Sequence, residues 1–360
     1  MNSAESFSAT YAEARDKFCA AAKDAGGALD RRANPNKGPD GGDLSTDVAW
    51  FGPKSAEKVL VMISGTHGAE GFCGSGAQVD FLRRGELARL PADAAVLMIH
   101  AINCYGFAWL RRVTEENIDL NRNWMDFAAS LPANPGYDEL ADALVPHEWT
   151  PEAKRAANRT LRAYRDAHGA MGLQQAMSGG QYRHDTGVYY GGEGPSWARR
   201  TQEAIYRDYL SGAGQVAIID YHTGLGPWGY AEPIMTDAAG TPGFCRGQAW
   251  YGAAITTPED GSSTSAVTVG DGLAAAPLLL SHAEVTGVAL EYGVQSLTET
   301  GDAVRADAWL HAYGDLESEQ GRQIKAQVRA AFYGDADDWK GMVAGQSLTA
   351  TRQAVAGLAR

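Results

Sequence analysis

The 360-residue chain is 44% apolar and 21% charged, an ordinary globular composition with ample length for a large core. A net charge of −13 and a pI near 5.1 argue against duplex nucleic acid or an anionic membrane as the main partner, and make any basic groups that converge in a cleft a local exception. No basic-then-apolar leader opens the sequence, apolar runs fall short of a membrane span, and Cys19, Cys73, Cys104 and Cys245 lack Cys-x-x-Cys spacing, so the expectation is a cytoplasmic chain with reduced thiols whose metal chemistry would use His and carboxylate.

Residues 4–23 are alanine-rich, with apolar positions near helical spacing, and read as an amphipathic helix. Residues 31–45, rich in Gly, Pro, Asn and Asp, read as a surface loop before an edge strand over 46–51. The stretch 59–63 is apolar without polar alternation, as expected of a strand covered on both faces of an α/β sheet. It ends in a glycine-flanked turn carrying His67 and Glu70, and ligands of such sheets gather beyond the carboxyl ends of strands. A helix is expected directly after the turn, over about 71–84, and a second buried strand over 94–101. Segment 117–124 mixes hydrogen-bonding side chains with Ile118, Leu120 and Trp124, which suits a loop held against a core, although taken alone it reads first as a turn stabilised by Asn and Asp bonding to their own backbone.

Residues 125–195 look like an insertion forming part of a cleft wall, with a proline-rich loop at 131–137, a charged helix over about 151–175 and a glycine-rich stretch carrying Tyr182, Tyr189 and Tyr190. A helix at 196–210 precedes a buried strand over 215–221, which again ends in a histidine, His222. A short strand at 231–236, a helix at 243–253 and a loop at 257–272 lead to the last buried strand, 287–290, ending at Glu291. The loop residues Ser265 and Thr268 have no stronger claim to a specificity pocket than ordinary loop residues. Helical patterns follow from about 302, over 316–333, and from about 347.

Functional side chains thus cluster at four strand ends: His67 with Glu70, the Arg112 and Asn121-Arg122 region, His222, and Glu291. Two imidazoles and one carboxylate would leave tetrahedral zinc an open position, the arrangement of catalytic sites. Glu291 can then serve as the base that takes a proton from water. Asp119 and Asp220 are candidates to orient ligand histidines, with stabilisation of its own loop an equal alternative for Asp119. Asp220 lies two residues before His222, on the same sheet face if the strand continues that far.

Taken in order, His67-Gly-Ala-Glu70, Asp119-Leu-Asn121-Arg122-Asn-Trp, Asp220-Tyr-His222-Thr and Glu291-Tyr-Gly resemble the zinc metallocarboxypeptidase superfamily. That group includes digestive carboxypeptidases, murein-peptide amidases, succinylglutamate desuccinylase and aspartoacylase. The resemblance covers roughly residues 55–295 and implies a three-layer α/β/α fold with a mixed, mainly parallel central sheet, expected here as one catalytic domain over 1–360. It implies one Zn²⁺ on His67, Glu70 and His222, a substrate carboxylate held by Asn121 and Arg122, Glu291 as general base, and Arg112, with Arg111 as fallback, polarising the scissile carbonyl. Digestive carboxypeptidases carry a Tyr shortly upstream of the base, whereas no Tyr lies between Tyr251 and Tyr292 here. Tyr182, Tyr189 or Tyr190 would have to substitute. The expected activity is hydrolysis of an amide or peptide bond beside a carboxylate-bearing group, on a small peptide or acylated amino acid. An N-acyl amino acid deacylase is the alternative, and a catalytically silent binding module the third reading.

Overall fold

The computed structural model describes residues 2–360. Strands β1 (Ala28–Lys37), β2 (Asp43–Phe51), β3 (Lys58–Ile63), β4 (Ala94–His100), β5 (Gln215–Trp228), β6 (Ala231–Ile234) and β7 (Glu284–Gly293) form one sheet, ordered β1-β2-β4-β3-β5-β7-β6. The central β4, β3, β5 and β7 are parallel, while β1, β2 and β6 join by antiparallel pairing. The helices among the described residues are α1 (Tyr11–Asp24), α2 (Gly71–Arg83), α3 (Cys104–Ala108), α4 (Pro135–Leu144), α5 (Pro151–Ser178), α6 (Trp197–Leu210), α7 (Pro242–Tyr251), α8 (Gly272–Leu279), α9 (Leu297–Tyr313), α10 (Glu319–Phe332) and α11 (Asp337–Leu358). This is the mixed sheet flanked by helices that the sequence implies.

The absence of polar alternation in β3 follows from burial on both sides. Leu60 and Met62 join a core with Phe18, Phe72 and Trp339 from α1, α2 and α11, whereas Val59, Val61 and Ile63 join one with Ile205 and Leu210 of α6 and Ala276 of α8. Along the chain, β3 is followed by β4 on one side and later by β5 on the other. The crossovers therefore leave in opposite directions between β3 and β5, and a crevice opens beyond their carboxyl ends. Both histidine-bearing segments end there.

The expected loop over 31–45 is instead largely strand, and residues 46–51 lie in an interior strand. β1 is the edge, where Pro35 needs no ladder donor and a register shift between Ala33 and Lys37 absorbs the turn-forming residues. Residues 131–137 are loop only up to Asn134, whose side chain caps α4, with Pro135 in the first turn. The first long helix begins at Tyr11, capped by Thr10, rather than at residue 4. α9 starts before residue 302, at a Ser296/Glu299 capping box. α11 begins ten residues before 347; its buried face is largely Ala, Ser and Thr after Trp339 and Val343, which weakens the apolar signal. The charged helix at 151–175 is present but broken at Gly169, where φ is 78° and ψ 169°. Tyr164 and Ala176 from the two arms both flank Gly136 of α4.

The turn after β3 is pinned by backbone contact. Gly68 N donates to Arg112 O (3.1 Å) and Ala69 N to Arg111 O (2.7 Å), and a Cβ on Gly68 would lie 2.0 Å from the carbonyl carbon of Gly106. Gly68→Ala is therefore expected to cost about 3 kcal/mol of stability by forcing α3 away from the turn. Urea unfolding measures this, and a loss under about 1 kcal/mol would show that α3 yields freely.

Candidate metal centre

His67 follows β3 and opens a single 3₁₀ turn, Gly68–Glu70, whose Glu70 points back beneath it. His222 lies on β5, register partner of Glu291 on β7. His67, Glu70 and His222 are all buried and offer ligand atoms within 4.8 Å of one another, the metal-competent cluster among the described residues. The two imidazole Nδ1 atoms are 3.1 Å apart, and Glu70 reaches them at 3.0 and 3.1 Å. Two ring nitrogens facing each other so closely cannot both carry protons. Their lone pairs and a carboxylate converge on one point, which is the donor set that suits a divalent cation and zinc in particular.

The far side of each ring is backed by a carboxylate. His67 Nε2 lies 3.2 Å from Asp119 Oδ1. His222 Nε2 is 2.9 Å from Asp220 Oδ2 but off the line of a good hydrogen bond, so this contact is mainly electrostatic. Asp220 is itself fixed by Thr66 Oγ1, at 2.8 and 2.9 Å from its two oxygens. Asp119 accepts from Arg112 Nε (2.9 Å) and Asn121 N (3.0 Å). Such backing sets ring orientation and tautomer and raises ligand basicity. Asp119 thus stands behind His67 and also holds its own loop through Asn121 N, so both readings of it fit, while Asp220 stands behind His222.

Electrostatics follow from this crowding. Burial alone would raise Glu70, but His67 and His222 hold it well below the ordinary carboxylate range. Against a burial penalty, Asp220 and then Glu70 lift His222 well above the usual imidazole value. Burial likewise opposes ionisation of Asp119, and the Arg112 and Arg122 charges hold it low. Glu291 goes the other way: burial first and the Glu70 charge second push its carboxyl well up from its ordinary value.

Glu291 Oε1 accepts from Leu225 N at 3.0 Å, and Glu291 faces a cavity of about 630 Å³ also lined by His67, Arg112, Asn121, Arg122 and His222. The Leu225 donor exists because β5 shifts register between Thr223 and Trp228, through Gly224 and Gly226 at φ 124° and 90°. Of the two arginines considered for the carbonyl, Arg112 reaches the cavity, donating to Asp119 and Glu70 (3.1 Å), with its remaining terminal nitrogen 2.8 Å from His67 Nε2. Arg111 is buried away from it, on Asp307 (3.1 Å) and Asn117 (2.8 Å). Arg122 is 4% exposed, and its hydrogen bonds go to backbone carbonyls, Ser178 O (3.1 and 2.6 Å) and Asn121 O (2.7 Å). Asn121 Oδ1 accepts from Gly272 N.

The three tyrosines separate. Tyr182 donates to Arg122 O at 2.7 Å, Tyr190 meets Asp119 through its backbone carbonyl, and Tyr189 alone of the three lines the cavity. Its ring lies 5.3 Å from the Arg112 guanidinium and 5.5 Å from that of Arg122. Ser265 and Thr268, read from sequence as ordinary loop residues, also line the cavity. The donors Thr66 Oγ1, Thr223 N (3.0 Å to Glu70 Oε2) and Leu225 N were not anticipated. Only Thr66, inside the Gly-Thr-His turn, carried a visible signal; the other two are backbone groups.

Removing the support behind a ligand is expected to weaken metal binding without abolishing it. Asp220→Asn should lower zinc affinity about 10- to 100-fold, while His67→Ala removes a ligand and should lose stoichiometric zinc at any practical concentration. Chelator competition measures both, and equal affinities for Asp220→Asn and wild type would remove Asp220 from the site. Because a cation and protons compete for the two imidazoles, zinc affinity should fall as pH drops through the imidazole range; an affinity independent of pH would argue against imidazole ligation.

A family model described as "Protein of unknown function (DUF2817)" matches residues 7–346. No curated protein matches the chain. Among solved structures, carboxypeptidase A from Helicoverpa armigera is similar at 11% identity, with 90% of this chain and 74% of that one covered and a TM-score of 0.47. A putative succinylglutamate desuccinylase/aspartoacylase family protein from Shewanella amazonensis shows 18% identity, 81% and 73% coverage and a TM-score of 0.37. Murein-tripeptide amidase from Escherichia coli O157 shows 15%, 80% and 90%, and 0.34.

Proposed function

The chain belongs to the DUF2817 family, and we propose that it is a zinc-dependent hydrolase cleaving an amide or peptide bond beside a carboxylate-bearing group. One observation carries this reading: the convergence of His67, Glu70 and His222 in the wall of a cavity onto which a buried carboxylate, Glu291, also opens. The names of the similar structures, a carboxypeptidase, a desuccinylase/aspartoacylase family protein and an amidase, are in keeping with it.

Zinc, when bound by these three side chains, supplies Lewis acidity that polarises a carbonyl and lowers the pKa of water toward neutrality. Every other role falls to the chain. Glu291, with Oε1 steadied by Leu225 N, takes the proton from the attacking water as the new C–O bond forms. It returns that proton to the amide nitrogen as the C–N bond breaks. Its raised proton affinity suits a group that must both accept and release. Arg112, half-buried at the cavity floor and held in orientation by Asp119, places positive charge beside the developing oxyanion, a contribution typically worth roughly 3 kcal/mol. Arg122 is a buried cation with only neutral carbonyls as hydrogen-bond partners, and a substrate carboxylate supplies the counter-charge it lacks at close range. Tyr189 presents its ring to both guanidinium groups, a favourable cation–π setting.

Metal content and turnover of wild type and Glu291→Gln are measured together, on dipeptides and N-acyl amino acids that present a free carboxylate on either side of the cut bond. The variant should keep its zinc and lose about 10²- to 10⁴-fold in kcat, since only proton transfer is removed. Full turnover in Glu291→Gln would exclude Glu291 as the base. Zinc binding by a wild type that hydrolyses neither panel would favour the silent binding module. The side of the bond on which the carboxylate is required separates peptidase from deacylase.

A further inference from the structure

The broken helix α5 contributes one face from each arm to the cavity. Leu161, Arg162 and Arg165 of the first arm and Leu173 and Met177 of the second line it, at the three- and four-residue spacings that put side chains on a single helix face. The second arm is fastened to the catalytic end by Arg122, which donates to Ser178 O. From Ser178 back to Ala170, beside the break, the helix extends about 12 Å at ~1.5 Å per residue. The cavity wall therefore runs past the metal ligands, with apolar groups, joined by Leu297 and Val304, interspersed with the polar Asn158 and Gln174.

Charge along this wall is not balanced. Arg305 is committed to Asp302 (2.9 Å) and to backbone carbonyls, and the cavity carboxylate Asp271 caps α8 through Leu273 N. Arg162 has no hydrogen-bond or ion-pair partner among the described residues, and Arg165 has only a 3.4 Å contact with its exposed neighbour Asp166, which is worth little. Two exposed cations thus border an apolar channel in a chain of net charge −13, the local exception that composition would make informative.

Building on the hydrolase reading, we infer that the α5 arms form an acyl-side subsite for a substrate whose acyl portion is apolar along its length and anionic at its far end, paired there with Arg162 and Arg165. Two sources share this chemistry: an ω-carboxy fatty acyl group and a short apolar peptide beginning with an acidic residue. At ~3.3 Å per extended residue, the length of the second arm matches three to four residues, which both sources can supply.

The test uses zinc-loaded Glu291→Gln protein, titrated calorimetrically with azelaoyl-alanine against nonanoyl-alanine, and with the peptide Glu-Leu-Leu-Ala against Gln-Leu-Leu-Ala. In at least one pair the anionic tip should bind about tenfold tighter, and the pair that shows the larger ratio identifies the source. Charge reversal at Arg162→Glu with Arg165→Glu should collapse that ratio to near one or below. Arg162→Ala with Arg165→Ala is the second variant, and a thermal melt confirms folding of each. A ratio near one in both pairs, no binding of any of the four ligands, or a ratio that survives charge reversal overturns the inference. Wild-type hydrolysis of the four compounds separates the two claims. Tip-dependent binding with no hydrolysis sinks the hydrolase reading alone, and hydrolysis indifferent to the tip sinks the subsite alone.

Discussion

Glu70 is the residue on which the rest of the site leans. It is a buried carboxylate that touches both imidazoles, accepts from Thr223 N, and faces the Arg112 guanidinium. Burying an isolated carboxylate is expensive, and it is tolerable here because each of its oxygens meets a donor or cation. Satisfying it requires three distant pieces of chain in one place. β3 must deliver the turn, β5 must deliver His222 and the Thr223 amide, and the segment after α3 must deliver Arg112. The parallel pairing of β3 with β5, which sets Ile63 against Asp220, supplies the first two. The hydrogen bonds from Gly68 and Ala69 to residues 111 and 112 supply the third.

That dependence explains which parts of the site were legible in the sequence. A strand buried on both faces advertises itself by its lack of alternation, and a polar residue just past such a run stands out, so His67, Glu70, His222 and Glu291 could be picked out together. The choice between Arg111 and Arg112 was not legible, because adjacent residues differ only in which way the chain turns after α3. One goes to the cavity and the other to the Asp307 and Lys325 ion pairs. The second layer behind the histidines was partly visible, since Asp220 shares a strand face with His222. Thr223 N and Leu225 N were invisible because a backbone amide leaves no residue-type signature.

The fold shows the same division. β3, β4, β5 and β7 were readable from apolar runs, whereas β1 was hidden by its proline and asparagines, which an edge position tolerates. Beyond Trp339 and Val343, the buried face of α11 uses small residues that do not raise the apolar count. The break in α5 was hidden as well. Gly169 sits among good helix formers, and only its left-handed φ turns one long helix into two arms.

The bulge in β5 has a consequence for tolerance to sequence change. Residue 225 serves the Glu291 carboxylate through its main chain, so that contact does not depend on the identity of its side chain, which lines the cavity. The flanking Gly224 and Gly226 adopt backbone angles that L-amino acids with side chains rarely reach, and Gly224 also has Phe332 and Thr300 close by. The reach of the base is thus set by the backbone of two glycine neighbours rather than by the side chain between them.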